Sequence, residues 1–335
     1  MEETAVAVKK AGITGTTLKI IALTAMFIDH FAAILLTDYL NMVIPSFSNR
    51  DVMRAWFDEH QRIAMLQTVM YVMRLLGRFG FPLFAFLIVE GFQHTRSVKR
   101  YALNLGIFAL ISELPFNLGF ASKLFFTGYQ NVYFTLLFGL LSLACLHYLC
   151  ETRKENEKYR PLFYVAAFLT GPYVGWLFLR DCWIGYLLFQ IDNVTLAVIL
   201  SAAAILSLIL LAILGRKWDT VKRNSFTFTL LPLAFFCALG DLLATDYGAG
   251  GVLTIAMIYF LRANRKKAFA IACVVLTLLS PAEFTAFLML IPIAKYNGER
   301  GMKLNKYFYY AFYPAHIGLI YLLTLLLGFT TFALR

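Results

Sequence analysis

The sequence predicts an all-α, polytopic integral membrane protein of about eleven transmembrane helices, or about nine plus a re-entrant hairpin, with its N-terminus in the cytoplasm. Three observations predict it. Of the 335 residues, 60% are hydrophobic and only 15% charged, where a soluble domain carries about a quarter charged residues. Apolar runs of about 18 or more residues, each long enough to cross the hydrocarbon core, recur from end to end. Lys and Arg gather in alternate loops, as the positive-inside rule requires.

Taken in order, residues 1–17 have no apolar periodicity and read as a cytoplasmic tail, and 18–335 read as a single transmembrane domain. The first span runs from about Leu18 to Leu36; it lacks a small-residue cleavage site and is expected to be retained. Residues 37–61 form a polar loop in which Trp56 and Phe57 mark a short interfacial helix. The stretch 62–90 is too long for one upright span, and Gly80 and Pro82 predict a bend within it. Further spans fall near 101–118, 131–149, 161–179, 194–214, 227–243, 249–261, 268–280, 284–294 and 307–327. The pair 268–280 and 284–294, joined by Ser280-Pro281-Ala282-Glu283, reads equally as two tilted helices or as a re-entrant hairpin buried in protein.

Loop charge sets the orientation. The loops at 91–100, 150–160, 215–225, 262–267 and 295–306 carry the basic residues, Lys303 among them, while the alternate loops hold Lys123 alone, Arg180 with Asp181 and Asp192, Asp246, or Glu283. The net charge of +11 is therefore explained by topology, and nucleic acid is not expected as a partner. Cys145, Cys150, Cys182, Cys237 and Cys273 show no metal-ligand spacing and are expected to be apolar filler, so neither metal nor disulfide is assigned.

Topology converts sequence number into depth. Asp29 and His30, Arg78, Glu113 and His316 each lie roughly 14–18 Å from the inner face at helical rise, which suggests one polar chamber near mid-membrane. Ionisable residues at that depth are expensive and point to function. Asp29 and His30 are sequence neighbours, about 100° apart around the helix, so they need not touch. An imidazole titrates near neutrality and suits proton removal from an amine or hydroxyl. Arg74 and Arg78 share a face, either pairing with Asp29 or Glu113, or holding an anion or the developing charge on a thioester oxygen. Glu113 reads equally as half of a structural ion pair. His316 reads equally as hydrogen-bonded core in an aromatic helix, and His94 as a solvated loop residue or a phosphate contact. Asp246-Tyr247-Gly248 sits at an outer mouth.

Several motifs look like those of the TraX family: LKIIALTAMFIDH (18–30), GRFGFPLFAFLIVEGFQHTRSVKRYALNLGIFALISELPFNLGF (77–120), QNVYFTLLFGLL (130–141), DYGAGGVL (246–253), IPIAKYNGERG (291–301) and KYFYYAFYPAHIGLIYL (306–322). That resemblance covers most of the chain in order. The family's named member acetylates the N-terminus of F-type conjugative pilin, and the family distantly resembles integral-membrane acyltransferases that use acyl-CoA.

The resemblance implies an acetyltransferase of the bacterial inner membrane, with acetyl-CoA as co-substrate and a peptide N-terminus, glycan or small molecule as acceptor. Its Asp-His falls on Asp29 and His30, its arginine on Arg78, its Glu-Gly-Phe and following histidine on Glu90, Gly91, Phe92 and His94, its ISE-P-F glutamate on Glu113, and its Tyr-Pro-x-His on Tyr313, Pro314 and His316. Under it, His30, or else His316, is the base, Asp29 orients a histidine, and Arg78 stabilises the oxyanion unless a carboxylate occupies it. Arg74, Arg96, Lys99, Arg100, Arg262, Arg265 and Lys266 suit the anionic donor. The rival readings are a proton-coupled secondary transporter, disfavoured by the lack of an inverted repeat, and a non-enzymatic assembly factor whose polar residues are interhelical glue.

Overall fold

The computed structural model describes residues 11–183, 185, 191–302 and 305–330; residues 1–10 of the expected tail and Lys303 lie outside the described residues. Helix α1 starts at Gly15, where the Thr14 hydroxyl accepts the Thr17 amide, runs to Phe31, and continues through one π-helical turn, Ala32–Leu36, to Val43. That wide turn follows Asp29 and His30 directly. π-Turns inside α-helices gather at functional sites because they re-aim side chains. Helix α2, Arg50–Glu59, is capped by Asn49 and buries none of its residues, and it falls where Trp56 and Phe57 mark a short helix.

Helices α3, Gln61–Gly77, and α4, Gly80–His94, form one long element broken at Arg78 and Phe79. Pro82 lies in the first turn of α4, where its missing N–H is no loss, so the break comes just before it. There the Arg78 and Phe79 amides donate to Leu75 and Leu76, three residues back. Then follow α5, Val98–Ala121; α6, Val132–Thr152; α7, Arg160–Trp176, which ends in a second π-turn; α8, Asn193–Gly215; and α9, Thr220–Leu242. The last part of the chain holds α10, Gly248–Phe260; α11, Arg265–Leu279; α12, a 3₁₀ stretch Pro281–Met289 continued as Leu290–Ala294; and α13, Lys306–Leu326.

Among the described residues, 8 helical segments are long and apolar enough to cross a membrane. The chain is an all-α polytopic membrane protein. Helices α10 and α11 are shorter, roughly 20 Å at helical rise. The looser-rising 3₁₀ geometry stretches α12 to about 25 Å.

Backbone pairing sorts the loops into two ends. At one, the Ile13 amide donates to Lys295 O at 2.8 Å, Gly15 and Thr16 donate to Glu299 O and Arg300 O, and Asn224 on α9 donates to Lys154 O and Asn156 O. The starts of α1, α9 and α11 and the ends of α4, α6 and α12 meet there, which makes it the basic end. At the opposite end, Gln130 and Asp246 exchange backbone bonds with Ala244 and Gln130. Helix α10 is packed among α4, α6, α9 and α11, with Val252, Ile255 and Ala256 at 0% exposure. Helix α8 buries only Leu196, Ala204 and Gly215, as expected of an apolar helix facing lipid. It meets α7 through small residues: a Cβ on Gly171 would overlap the Ala203 carbonyl, and Ser207 Oγ donates to Ala167 O at 2.7 Å.

Candidate active site

The break between α3 and α4 sets Arg78 against α1 and α12. Asp29 accepts from Arg74 at 2.6 Å and from Arg78 at 3.4 Å, and Arg78 donates to Glu283 Oε1 at 3.1 Å. Tyr247 OH donates to the same Glu283 oxygen at 3.4 Å, and its ring stacks on Phe81 at 3.8 Å. Gly77 makes room, since a Cβ there would overlap the Asp29 side chain. Two guanidiniums face two carboxylates, so this cluster is formally neutral. Removing one partner would leave a desolvated charge behind.

His30 turns the other way. Its Nδ1 lies 2.7 Å from His316 Nε2, the rings are stacked with centroids 4.9 Å apart, and His316 Nδ1 lies 2.6 Å from Phe312 O. A carbonyl only accepts, so His316 Nδ1 carries a proton. In the neutral pair, His316 Nε2 then accepts from His30 Nδ1–H, which leaves the lone pair on His30 Nε2. This chain occupies both nitrogens of His316 and presets the tautomer of His30. Both imidazoles are buried, at 8% and 4% exposure. The ring of Tyr313 touches His30 on one side and Tyr133 on the other, at centroid distances of 5.6 and 5.0 Å.

The single chamber expected from matched depths is thus resolved into separate groups. Asp29, Arg74 and Arg78 form the ion cluster, His30 and His316 the imidazole pair, and Glu113 accepts from the backbone and side chain of Asn131, tying α5 to the start of α6. The common cause is azimuth: residues at one depth on different faces of a helix reach different neighbours.

Two cavities flank these groups. At the basic end, about 600 Å³ is enclosed by Lys19, Glu90, His94, Arg300 and Lys306 together with Tyr101, Tyr296, Tyr309 and Tyr310, and it reaches Tyr133 and Leu136 in the first turns of α6. Because α6 begins at the opposite end, this cavity penetrates much of the bundle. Glu90 accepts from Tyr296 at 3.1 Å and pairs with Arg265 at 3.4 Å. Arg262 lies over the Tyr259 ring at 4.1 Å. Arg96, Lys99, Arg100, Arg262, Arg265 and Lys266 sit on the loops and helix starts around the basic end and are not in the cavity wall. The second cavity, about 350 Å³, is lined by Arg78, Asp241, Asp246, Tyr247, Ser280 and Glu283 among others.

The TraX protein family profile matches residues 14–175 and 170–324. The chain belongs to the TraX family. The TraX match takes in the ion cluster, the imidazole pair and the lining of both cavities. The probable fimbrial assembly protein FimC, serogroup H1, of Dichelobacter nodosus is 24% identical over 312 residues, covering 90% of this chain and 92% of that protein. No solved structure matches significantly.

Sequence reasoning passes over four residues that the TraX fold brings to these sites. Glu283 reads as a loop acid between two spans; the hairpin alternative for 268–294 carries the signal that it lies at depth. Arg300 and Lys306 count only toward orientation and Lys19 only as part of the first span, because a hydropathy window does not reveal which end-of-helix cation faces inward.

Proposed function

We propose that this TraX-family chain is a membrane-embedded acyltransferase. In this reading it moves an acetyl group from cytoplasmic acyl-CoA to an amine or hydroxyl acceptor, such as a peptide N-terminus or glycan. Residues 18–335 act as one domain of about eleven spans, or about nine plus a re-entrant hairpin, in the bacterial inner membrane, with the N-terminus in the cytoplasm. The observation that carries the reading is the deep cavity at the basic end, with Lys19, Arg300 and Lys306 in its wall and a floor one aromatic ring away from His30.

The donor set fits such a substrate. Cations toward the basic end match phosphates, and tyrosine and leucine walls match a long amide-containing arm. Acyl-CoA supplies an activated thioester. The protein's own residues then do the following. Lys19, Arg300 and Lys306 hold the anionic end. His30 Nε2 takes the proton from the acceptor as its nitrogen or oxygen bonds to the acyl carbon, and as the carbon–sulfur bond breaks the departing thiolate recovers that proton from His30, which regenerates the base. His316 is a positioning residue that fixes the His30 ring. Arg78, with nitrogens committed to Asp29 and Glu283, holds the break between α3 and α4 in place.

A second reading, an assembly factor without chemistry, takes its support from the name of the FimC relative. Purified protein in detergent, given acetyl-CoA and membrane or cell-surface extract, should release free CoA and yield a product heavier by about one acetyl group, with both signals lost in His30→Ala. Absence of CoA release and of any acetylated product in the wild-type protein would refute the enzyme reading and leave the assembly factor.

A further inference from the structure

The cavity at the opposite end has a chemistry of its own. Asp241, Asp246 and Glu283 line it against a single cation, Arg78. Two of these acids are partly engaged: Asp241 Oδ1 accepts the Ala249 amide at 2.6 Å, and Asp246 accepts from Tyr129 OH at 2.6 Å. Glu283 differs. It is 2% exposed, its Oε1 takes Arg78 and Tyr247, and its Oε2 has no hydrogen-bonding partner among the described residues. A buried carboxylate oxygen is costly unless it meets a donor. The Arg74–Arg78–Asp29–Glu283 group is already neutral without Asp241 and Asp246, so the wall carries a formal excess of negative charge.

We infer that this second cavity is a binding site for a small organic cation, a primary ammonium held between the Glu283 and Asp246 carboxylates, with Ser280 and Tyr247 supplying hydroxyls. A volume of about 350 Å³ is far larger than a bare monovalent ion needs and falls at the small end of organic-ligand sites. An ammonium brings three N–H donors, which is what a wall of acceptors lacks. The site lies across the bundle from the basic cavity and does not depend on acyl transfer. A bound amine serves either as the acceptor of the proposed reaction or as a separate ligand.

The test is thermal unfolding of the full-length protein in detergent with n-butylammonium chloride, compared with equimolar sodium chloride and n-butanol. The wild type should unfold at least about 2 °C higher with the ammonium than with either control. That increment should vanish in Glu283→Gln. Since Glu283→Gln also disturbs the Arg78 pair and reduces stability, Ser280→Leu, which fills the cavity without changing charge, provides the second arm and should abolish the increment as well. Adding acetyl-CoA separates the two sources: N-acetylated butylamine marks the site as the acceptor's, and binding without acetylation marks a separate ligand. Either outcome upholds the site. An equal shift from n-butanol, or an ammonium shift unchanged in both variants, would overturn it.

Discussion

His30 Nδ1 and His316 Nε2 lie 2.7 Å apart with their rings 2° from parallel, so the last helix sets the tautomer of a residue on the first. The consequence is an asymmetry between two residues that look alike in sequence. His30→Ala should lower CoA release by about 10²-fold or more, because the base itself is lost. His316→Ala should cost less, and His316→Gln, whose side-chain oxygen accepts from Nδ1–H, should recover part of the loss. Comparing kcat and the pH–rate profile of the three variants checks this. Equal losses in all of them would remove the asymmetry, and no loss in any would place both rings outside the chemistry.

The donor cavity separates two sets of cations. Lys19→Ala, Arg300→Ala and Lys306→Ala should each raise the KM for acetyl-CoA several-fold with little change in kcat, and less so at high salt, where the attraction they remove is already screened. Arg96→Ala and Lys99→Ala, outside the cavity wall, should change KM by less than about twofold on the same reasoning. Steady-state kinetics at two ionic strengths decides between the sets.

Asp29 serves two arginines at once. Asp29→Asn should destabilise the protein by about 3 kcal/mol, the typical loss when a buried partner is removed. Adding Arg74→Ala should recover part of that, since one unpaired charge goes with it. Thermal unfolding of the single and double variants measures the coupling.

Gly77 and Gly106 should respond oppositely to the same substitution. At Gly77 a new methyl overlaps the ion-paired Asp29 side chain, whereas at Gly106 the nearest atom, Leu137 Cδ2, is 3.7 Å away. Gly77→Ala should cost about 1–3 kcal/mol. Gly106→Ala, in a helix interior, should be neutral or stabilising by up to about 1 kcal/mol. Paired unfolding curves check both.

Much of this architecture is written in the amino-acid order. Apolar run lengths mark the 8 helical segments that are long enough to cross a membrane, and loop charge anticipates which loops share an end. Gly80 marks the break at Arg78 and Phe79 to within two residues, and Pro82 follows it in the first turn of α4. Pairing of Arg74 and Arg78 with Asp29 is one of the alternatives that depth and a shared helix face leave open, the other carboxylate being Glu113. Azimuth is not legible: nothing local tells that Asp29 faces α3 while His30, the next residue, faces α13, because that depends on how separate helices pack. Glu113 shows the same limit, since its partner is the Asn131 cap and no arginine. Glu283 is hidden for another reason. A 3₁₀ stretch with two short flanking runs dilutes the hydropathy signal that would have placed it inside.

The link from Arg78 to Glu283 crosses 205 positions of sequence, and that distance orders the protein's assembly at the ribosome. Asp29, Arg74 and Arg78 emerge together and can enter the bilayer as a partly balanced trio. For the rest of translation they carry one positive charge too many. Only when the nascent chain delivers the α11–α12 hairpin does the final counter-charge arrive, so that hairpin should slot into a cleft the earlier helices have already formed, with only α13 still to come. Truncation before it should leave a protein that inserts but is recognised by membrane quality control as incomplete.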